Sequence, residues 1–546
     1  MVRLYKQKSF YLGFLSLFSC KHGIGLANGL NFLSIFKSCH QAHGLLLRAY
    51  YHNAEYSQKE QRVVQVKSCT VISLLFLFLG LLFSTLASSE PYRMPVGSPI
   101  GQILSETPEN QWVRLNLNDF KDVWTPLDQR PAPVEAPSVG SPHSILVAWS
   151  SMAWDSNRGN LIFWGGGHAN YPGNEVYRWN ASTLNWERSS LPTEVEYVPV
   201  TNTNYGFSFA PVDGHFNSPV SAHTYDNSEF FPIIDRFVTF GGAAFNTGHY
   251  FELTDGSRTG PYFWDPSKAD PDKVGGTTGS NVNFNIYSDV LGGLMWSNRD
   301  NLEPVNGEVV PGSGPFINGA TAYYEENGKD TLFIETIGNL YKYTVNDIND
   351  PSNDLYELVG RALVTFAGQG AGAYDPDHNL FVRTSGSQFV YWNLDSPGQN
   401  NYNKFINPIV SNGTFDFNKL IDYGMDYDPV RKEFVLWGGE SDVWVLTPPA
   451  DLQLGSWNLS KIATNSVEFP TRSGIGFTGI LGKWKYIQAL DVFLGSFDPQ
   501  TGDIWAFKPQ AWDPIPTDDL PPYITSPVEG DFHWSENDLA ITAVLD

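Results

Sequence analysis

The sequence predicts an all-β protein, a β-propeller of six to seven four-stranded blades closed by a strand from the N-terminal side. Glycine (50), proline (36) and aromatic residues (14%) are plentiful, while charged residues are only 17%. That composition suits short strands joined by tight turns. A unit of three or four such strands recurs along the chain, each copy under about 50 residues long. A length of 546 residues, at about 150 per domain, would make three to four domains. A propeller fits the same length as one domain, because it gathers many small sheets around an axis.

Charge and cysteine divide the chain before any strand is placed. Residues 1–87 hold nine of the 34 bases, two of the 58 acids and all three cysteines, Cys20, Cys39 and Cys69. Residues 88–546 therefore carry a net charge near −31 and no cysteine. The apolar run 71–87 follows Lys67 and ends in small residues, with Thr85 and Ala87 suited to the −3 and −1 positions of a signal-peptidase site. It is short for a membrane span, which needs about 20 residues. Residues 1–87 thus read as an extension ending in a signal peptide, or in an anchor if uncleaved. The mature body is expected to be secreted, extracellular or periplasmic, with membrane contact only through an uncleaved 71–87. Its acidity excludes nucleic acid as a partner, since phosphate binding needs basic surface.

The first blade is read at 148–190. A strand ends at Trp154-Asp155, an apolar strand Leu161-Ile162-Phe163-Trp164 closes on Gly165-Gly166-Gly167, and Glu175–Trp179 and Trp186 follow. The second has SAHTYD (221–226), Phe237–Gly242 and Tyr262–Asp265; the third 320–326, Leu332–Ile334 and Leu340–Tyr343. The fourth has 370–376, Leu380–Val382 and Phe389–Trp392; the fifth 422–429, Phe434–Gly439 and Val443–Val445. The sixth has 482–488, Val492–Gly495 and Ile504–Phe507. A seventh blade would have to lie in 190–220 or 275–316. The sixth lacks an outer strand, and Gln111–Leu115 is predicted to supply it, which removes an exposed sheet edge. The tryptophans of the repeat are assigned to packing between blades. Beyond the propeller (88–510), AWDPIPTDDLPP (511–522) reads as a Pro/Asp linker. Residues 523–546 resemble the start of a bacterial immunoglobulin-like module, cut short because such a sandwich needs about 100 residues.

An apolar strand closed by paired glycines, then a tyrosine, then a tryptophan, resembles the kelch repeat. The body is similar to the kelch-type propeller of the galactose-oxidase central-domain superfamily. GGGHANYPGNEVYRW and HTYD resemble a bacterial secreted branch of it. Copper-radical chemistry does not follow from that likeness. Galactose oxidase uses a cysteine cross-linked to its metal-binding tyrosine, and this body has no cysteine. Calcium or zinc is left open, with no metal ligand assigned. The turns DPDHN (375–379) and DPQTGD (498–503) lack the spacing of a calcium loop and read as β-turns.

Topology predicts which residues converge. Lettering the strands of a blade a to d from axis to rim, b–c loops and d–a connections share one face. That face would carry His168, Tyr171 and Asn174 of blade 1, His223 and Tyr225 entering blade 2, and Tyr205 and His215 of the long segment 190–220. An arginine would join them, Arg258 or Arg236. Histidines with a tyrosine can do acid–base work, an arginine can hold a carboxylate, and concave axial mouths are where ligands bind. Loop-stitching through side-chain-to-backbone bonds is the alternative for His168 and Asn174.

Two function classes follow. One is a propeller that binds carbohydrate or protein at the axial mouth, with a glycan or a cell-surface protein as partner. The other is an enzyme. Ulvan lyases, secreted propellers that cleave uronate polysaccharides by β-elimination, are similar in using histidines, a tyrosine and an arginine on one face. The resemblance implies Tyr225 as base or acid, His168 and His223 assisting, and Arg258 neutralising the uronate. No histidine stands in AWSSMAWD, where one more would be sought. Lys483 and Lys485 would have to make the mouth locally basic.

Overall fold

The computed structural model describes residues 92–517, apart from 96, 132–139, 169, 200–206, 246–259, 278–291, 300–316, 337, 364–367, 473–477 and 515. The predicted leader and its apolar run, Tyr205, Arg258 and the immunoglobulin-like stretch lie outside the described residues. Among those described, no helix is long and apolar enough to cross a membrane.

Six antiparallel sheets are arranged as the blades of a propeller. Blade 1 runs outward through Met152–Asp155, Asn160–Phe163, Tyr177–Asn180 and Asn185–Arg188. Blade 2 has Ser228–Phe231, Arg236–Thr239, Tyr262–Trp264 and Trp296–Asn298. Blade 3 has Ala320–Glu326, Lys329–Thr336, Asn339–Thr344 and Leu355–Arg361. Blade 4 has Gly372–Asp375, Leu380–Ser385, Gln388–Asn393 and Lys404–Ile406. Blade 5 has Gly424–Asp428, Glu433–Trp437, Val443–Thr447 and Asn458–Ile462, and it carries a fifth, parallel edge strand, Ile409–Asn412. Blade 6 has Trp484–Ile487, Val492–Ser496 and Ile504–Lys508.

The ring closes as predicted. Gln111–Arg114 pairs antiparallel with Ile504–Lys508, Trp112 opposite Phe507. Trp112 sits within 6 Å of Trp437, Trp484 and Phe507, between blades 5 and 6. Inner strands of successive blades lie side by side, that of blade 6 next to that of blade 1, so six blades complete the circle. Segment 190–220 supplies a two-stranded ribbon, Val195–Pro199 with Phe207–Pro211, rather than a seventh blade. The described part of 275–316 supplies the outer strand of blade 2. SAHTYD is not the inner strand of blade 2; it is the connection entering it, and Ala222–His223 pairs there with Ala243–Ala244.

The predicted packing role of the tryptophans holds. Trp164, Trp179, Trp186, Trp264, Trp392, Trp437 and Trp484 are fully buried, and apolar area removed from water is the main favourable term in folding. On the face opposite the b–c loops, a short code joins blades. Asp155 Oδ1 accepts from the amides of Asn157 and Arg158, and the Arg158 guanidinium reaches Asp235 of blade 2 at 2.6 Å. Asp428 repeats this with Val430 and Arg431, and Arg431 reaches Asp491 of blade 6 at 2.7 Å. Asp375 Oδ1 accepts from the amides of Asp377 and His378, and Asp498 Oδ1 from those of Gln500 and Thr501, so in each turn the aspartate side chain is held by the backbone amides that follow it. Residues 511–514, the start of the stretch read as a linker, lie against blade 6. The Trp512 indole donates to Leu490 O at 2.8 Å, Lys508 Nζ stands 3.9 Å from its ring, and Pro516–Thr517 pairs with Met94–Pro95.

Candidate functional site

The glycine runs of blades 1 and 2 make room for a single segment. Gly165 and Gly166 adopt φ of 135° and 123°, and Gly242 one of 150°. A Cβ on Gly165 would stand 2.7 Å from Ala222 O, and one on Gly167 or Gly242 would overlap the backbone of His223. Glycine is therefore required on both sides if Ala222–His223 is to pass between the two b–c loops. Gly166 N donates to Ala222 O and His168 N to Ala243 O, each at 3.2 Å.

His223 is thus built into the mouth and is 2% exposed. Its Nε2 lies 2.9 Å from Asn170 Nδ2. In the tautomer that lets the Asn170 amide donate, the ring proton sits on Nδ1. The Trp149 ring lies 4.9 Å away, His168 6.1 Å and Tyr225 6.5 Å, centre to centre. Burial pushes the imidazole down to about 3, and the neighbouring His168 and His143 press the same way. His223 is neutral throughout the ordinary pH range. Tyr225 is buried too, and burial raises its phenol to about 12. It can donate a proton at neutral pH, but it is a poor base there.

Three bulky residues at the mouth share an unusual backbone. Trp149, Tyr225 and Leu481 have φ of 45°, 51° and 53°. Each stands three positions before the inner strand of its blade, in blades 1, 2 and 6. Tyr225 N donates to Trp149 O at 2.7 Å, and Gly482 N to Tyr225 O at 3.3 Å, so the three connections are laced together. Left-handed backbone costs a side-chain-bearing residue roughly 1–2 kcal/mol. It persists where surrounding structure enforces it, commonly at functional sites.

The remaining predicted residues have other partners. Tyr171 is fully buried and donates to Glu175 at 2.8 Å. Asn174 bonds Pro219 O and Thr193 N, which is the loop-stitching alternative. The carbonyl of His215 accepts from Tyr262 and Asn298 in the outer half of blade 2. Arg236 follows the a–b turn of blade 2, on the opposite face, and pairs with Asp265 at 3.1 Å. Lys483 is buried; its amine donates to the carbonyls of Val147, Ser150 and Gly479, and burial lowers it to about 7. Lys485 is bound to Glu229 at 2.6 Å. The two lysines expected to make the mouth basic are committed to intramolecular partners, because burying an ammonium group requires partners for it.

His143, Trp149 and Asn170 escaped the sequence reading. His143 lies in the short helix Pro142–Leu146, nine residues before the inner strand of blade 1, and reaches His223 electrostatically. Asn170 was in view, two residues past His168, without a mark to set it apart. Among the described residues, no three His, Cys, Asp or Glu side chains converge as metal ligands do.

The fold and this mouth define a six-bladed propeller with an asymmetric face. No family model matches the chain, and no curated protein does. The kelch likeness therefore rests on the residues quoted above. Many solved structures are similar to the chain, two of them as follows. The major allergen Mala s 1 of Malassezia sympodialis is 10% identical, with 74% of this chain and 96% of that one covered and a TM-score of 0.32. An auxiliary nutrient binding protein from Bacteroides thetaiotaomicron is 8% identical, with 72% and 75% covered and a TM-score of 0.34.

Proposed function

We propose that this is an exported, non-catalytic propeller that binds an uncharged glycan at the mouth between blades 6, 1 and 2. The observation that carries the reading is the cluster of Trp149, Tyr225 and Leu481, held in left-handed backbone around a neutral His223. Strain maintained at three neighbouring positions supports a role in shaping a contact surface. The partly exposed Trp149 ring and Asn170 amide, backed by the buried His223 and Tyr225, offer stacking and uncharged hydrogen bonds, the chemistry of sugar recognition.

The lyase reading fares less well. β-Elimination needs a base, and Tyr225 is pushed toward its protonated form. It also needs a neutralised uronate; Arg258, given that role above, lies outside the described residues, and Lys483 and Lys485, which would make the mouth basic, are engaged elsewhere. Glycan-array binding by the full chain, followed by calorimetry on the best ligand, tests the proposal. His223→Ala and Trp149→Ala are each expected to weaken binding about tenfold or more, the loss of a buried hydrogen bond or a stacked ring. Unchanged affinity in both variants would sink the site. An ultraviolet-absorbing unsaturated product from a uronate polysaccharide would restore the lyase.

A further inference from the structure

Blade 5 departs from the other five. The chain leaving Lys404–Ile406 adds Ile409–Asn412 as a parallel edge strand, then crosses back through Thr414–Asp422, where Phe417–Asp422 forms a 3-10 helix. No other blade among the described residues has a fifth strand. The crossing lies beside the b–c turn of blade 5, and the two enclose a cleft of about 140 Å³. A cavity of about 150 Å³ admits benzene, so this open cleft has room for part of a sugar ring, the remaining hydroxyls standing outside it.

The cleft is lined by aromatic rings below and charges at the rim. Phe415 lies 5.3 Å from Tyr423 and 4.9 Å from Trp444, ring centre to ring centre. A Cβ on Gly438 would stand 2.7 Å from Tyr423 Cζ, so glycine is what lets that ring lie across the turn. Asp416, Lys419, Glu440, Asp442 and Arg472 line the cleft as well, and Asp442 is paired with Lys461 at 2.7 Å. Arg472 is aimed by its Nε, which donates to Gly438 O at 2.7 Å, and it stands 4.0 Å from Asp422 and from Glu440.

We propose that this cleft binds one uncharged pyranose ring. Planar carboxylates and a guanidinium match pairs of adjacent hydroxyls, and the partly exposed ring of Tyr423, backed by the buried Phe415 and Trp444, offers a C–H contact. With Asp442 paired to Lys461 at 2.7 Å, Asp416 and Glu440 balance Lys419 and Arg472, which favours neither an anion nor a cation. The cleft belongs to blade 5, and the inference stands apart from the mouth between blades 6, 1 and 2.

Saturation-transfer NMR and calorimetry on the full chain, with glucose, galactose, mannose and N-acetylglucosamine against glucuronate and glucosamine, test it. At least one neutral sugar should bind saturably and more tightly than both charged ones. Arg472→Ala and Tyr423→Ala should each weaken it about tenfold or more, the worth of a hydrogen bond to a charged group or of a ring contact. Circular dichroism and thermal melting establish that both variants fold. Arg114→Ala, in the ion pair of the closing strand with Asp503, should leave this affinity within about twofold. The proposal is overturned if no neutral sugar binds, if a charged one binds more tightly, or if Arg472→Ala and Tyr423→Ala both bind as wild type. Loss of binding in His223→Ala alone would assign the sugar to the mouth and equally overturn it.

Discussion

His223 shows how one residue can be fixed by its surroundings and sensed through pH. The folded protein takes up its proton only near pH 3, whereas the unfolded chain does so near 6.5. Between those values the unfolded state holds more protons, so stability rises with pH across the window. The contribution of a neutral, buried His223 is complete above pH 6.5 and is lost as pH falls toward 3. His223→Gln keeps a hydrogen-bonding side chain and removes the titration. The unfolding free energy of the wild type, read from urea titrations, should therefore fall more steeply between about pH 6.5 and 4 than that of the variant, by a difference on the order of a few kcal/mol. Parallel curves would mean that the imidazole is not buried as described. Tyr225 belongs to the same account with the opposite outcome. Its phenol moves up and away from neutrality, which leaves it able to donate a hydrogen bond and unsuited to abstract a proton.

The strands and turns that carry these residues differ in how they are specified. Asp155 and Asp428 each end an inner strand and are fully buried, with an arginine three positions on that crosses to the next blade. Arg431→Ala would leave Asp428 and Asp491 facing one another without a cation. Breaking a buried pair costs about 3–5 kcal/mol, so chemical denaturation of this variant should show a loss of about 3 kcal/mol. Arg114→Ala, at a pair whose arginine is 38% exposed, should stay within about 1 kcal/mol. Equal effects would show that the Asp-x-x-Arg turn is no joint between blades. The turns at 375–379 and 498–503, the apolar strands and the closing strand at Gln111 were legible, because each is written locally in turn residues and alternation; the arginines that join blades were not, since their partners Asp235 and Asp491 lie far along the chain. The mouth was legible in part. His168, His223 and Tyr225 do meet, since the b–c loop and the d–a connection share a face whatever their detail. Trp149 and His143 were not seen, because they sit in irregular connections whose backbone no periodicity predicts. Lys485 was misassigned because its partner, Glu229, is 256 residues away, and nothing local to either residue announces the pair.

That long-range pair belongs to a charged axis that ties most of the ring together. Asp226 accepts from Gly372 N of blade 4 at 2.8 Å, its carbonyl accepts from Thr321 of blade 3, and Lys485 of blade 6 lies 3.9 Å from its carboxylate. Glu229 of blade 2 holds Lys485 directly, and Asp426 of blade 5 feels the same ammonium. Burial raises Asp226 to about 7 and Asp426 to about 6, while Lys485 pulls both back down. Folded pKa values above the unfolded 3.8 mean that the folded state keeps protons the unfolded state has released. Their contribution to stability is present at low pH and is lost as pH rises through the folded values. Lys485→Met removes the only ammonium group bound to Glu229 among the described residues and pushes the carboxylates higher still. The variant should be less stable than wild type by roughly 3–5 kcal/mol near pH 8, the cost of uncompensated buried charge. The deficit should shrink as pH falls toward about 5 and the carboxylates protonate. Taking the difference from wild type at each pH removes the opposing contribution of His223, which both proteins share. Denaturation curves at several pH values read that difference directly. A deficit independent of pH would show that the axis is held by packing and backbone hydrogen bonds, with its charges as passengers.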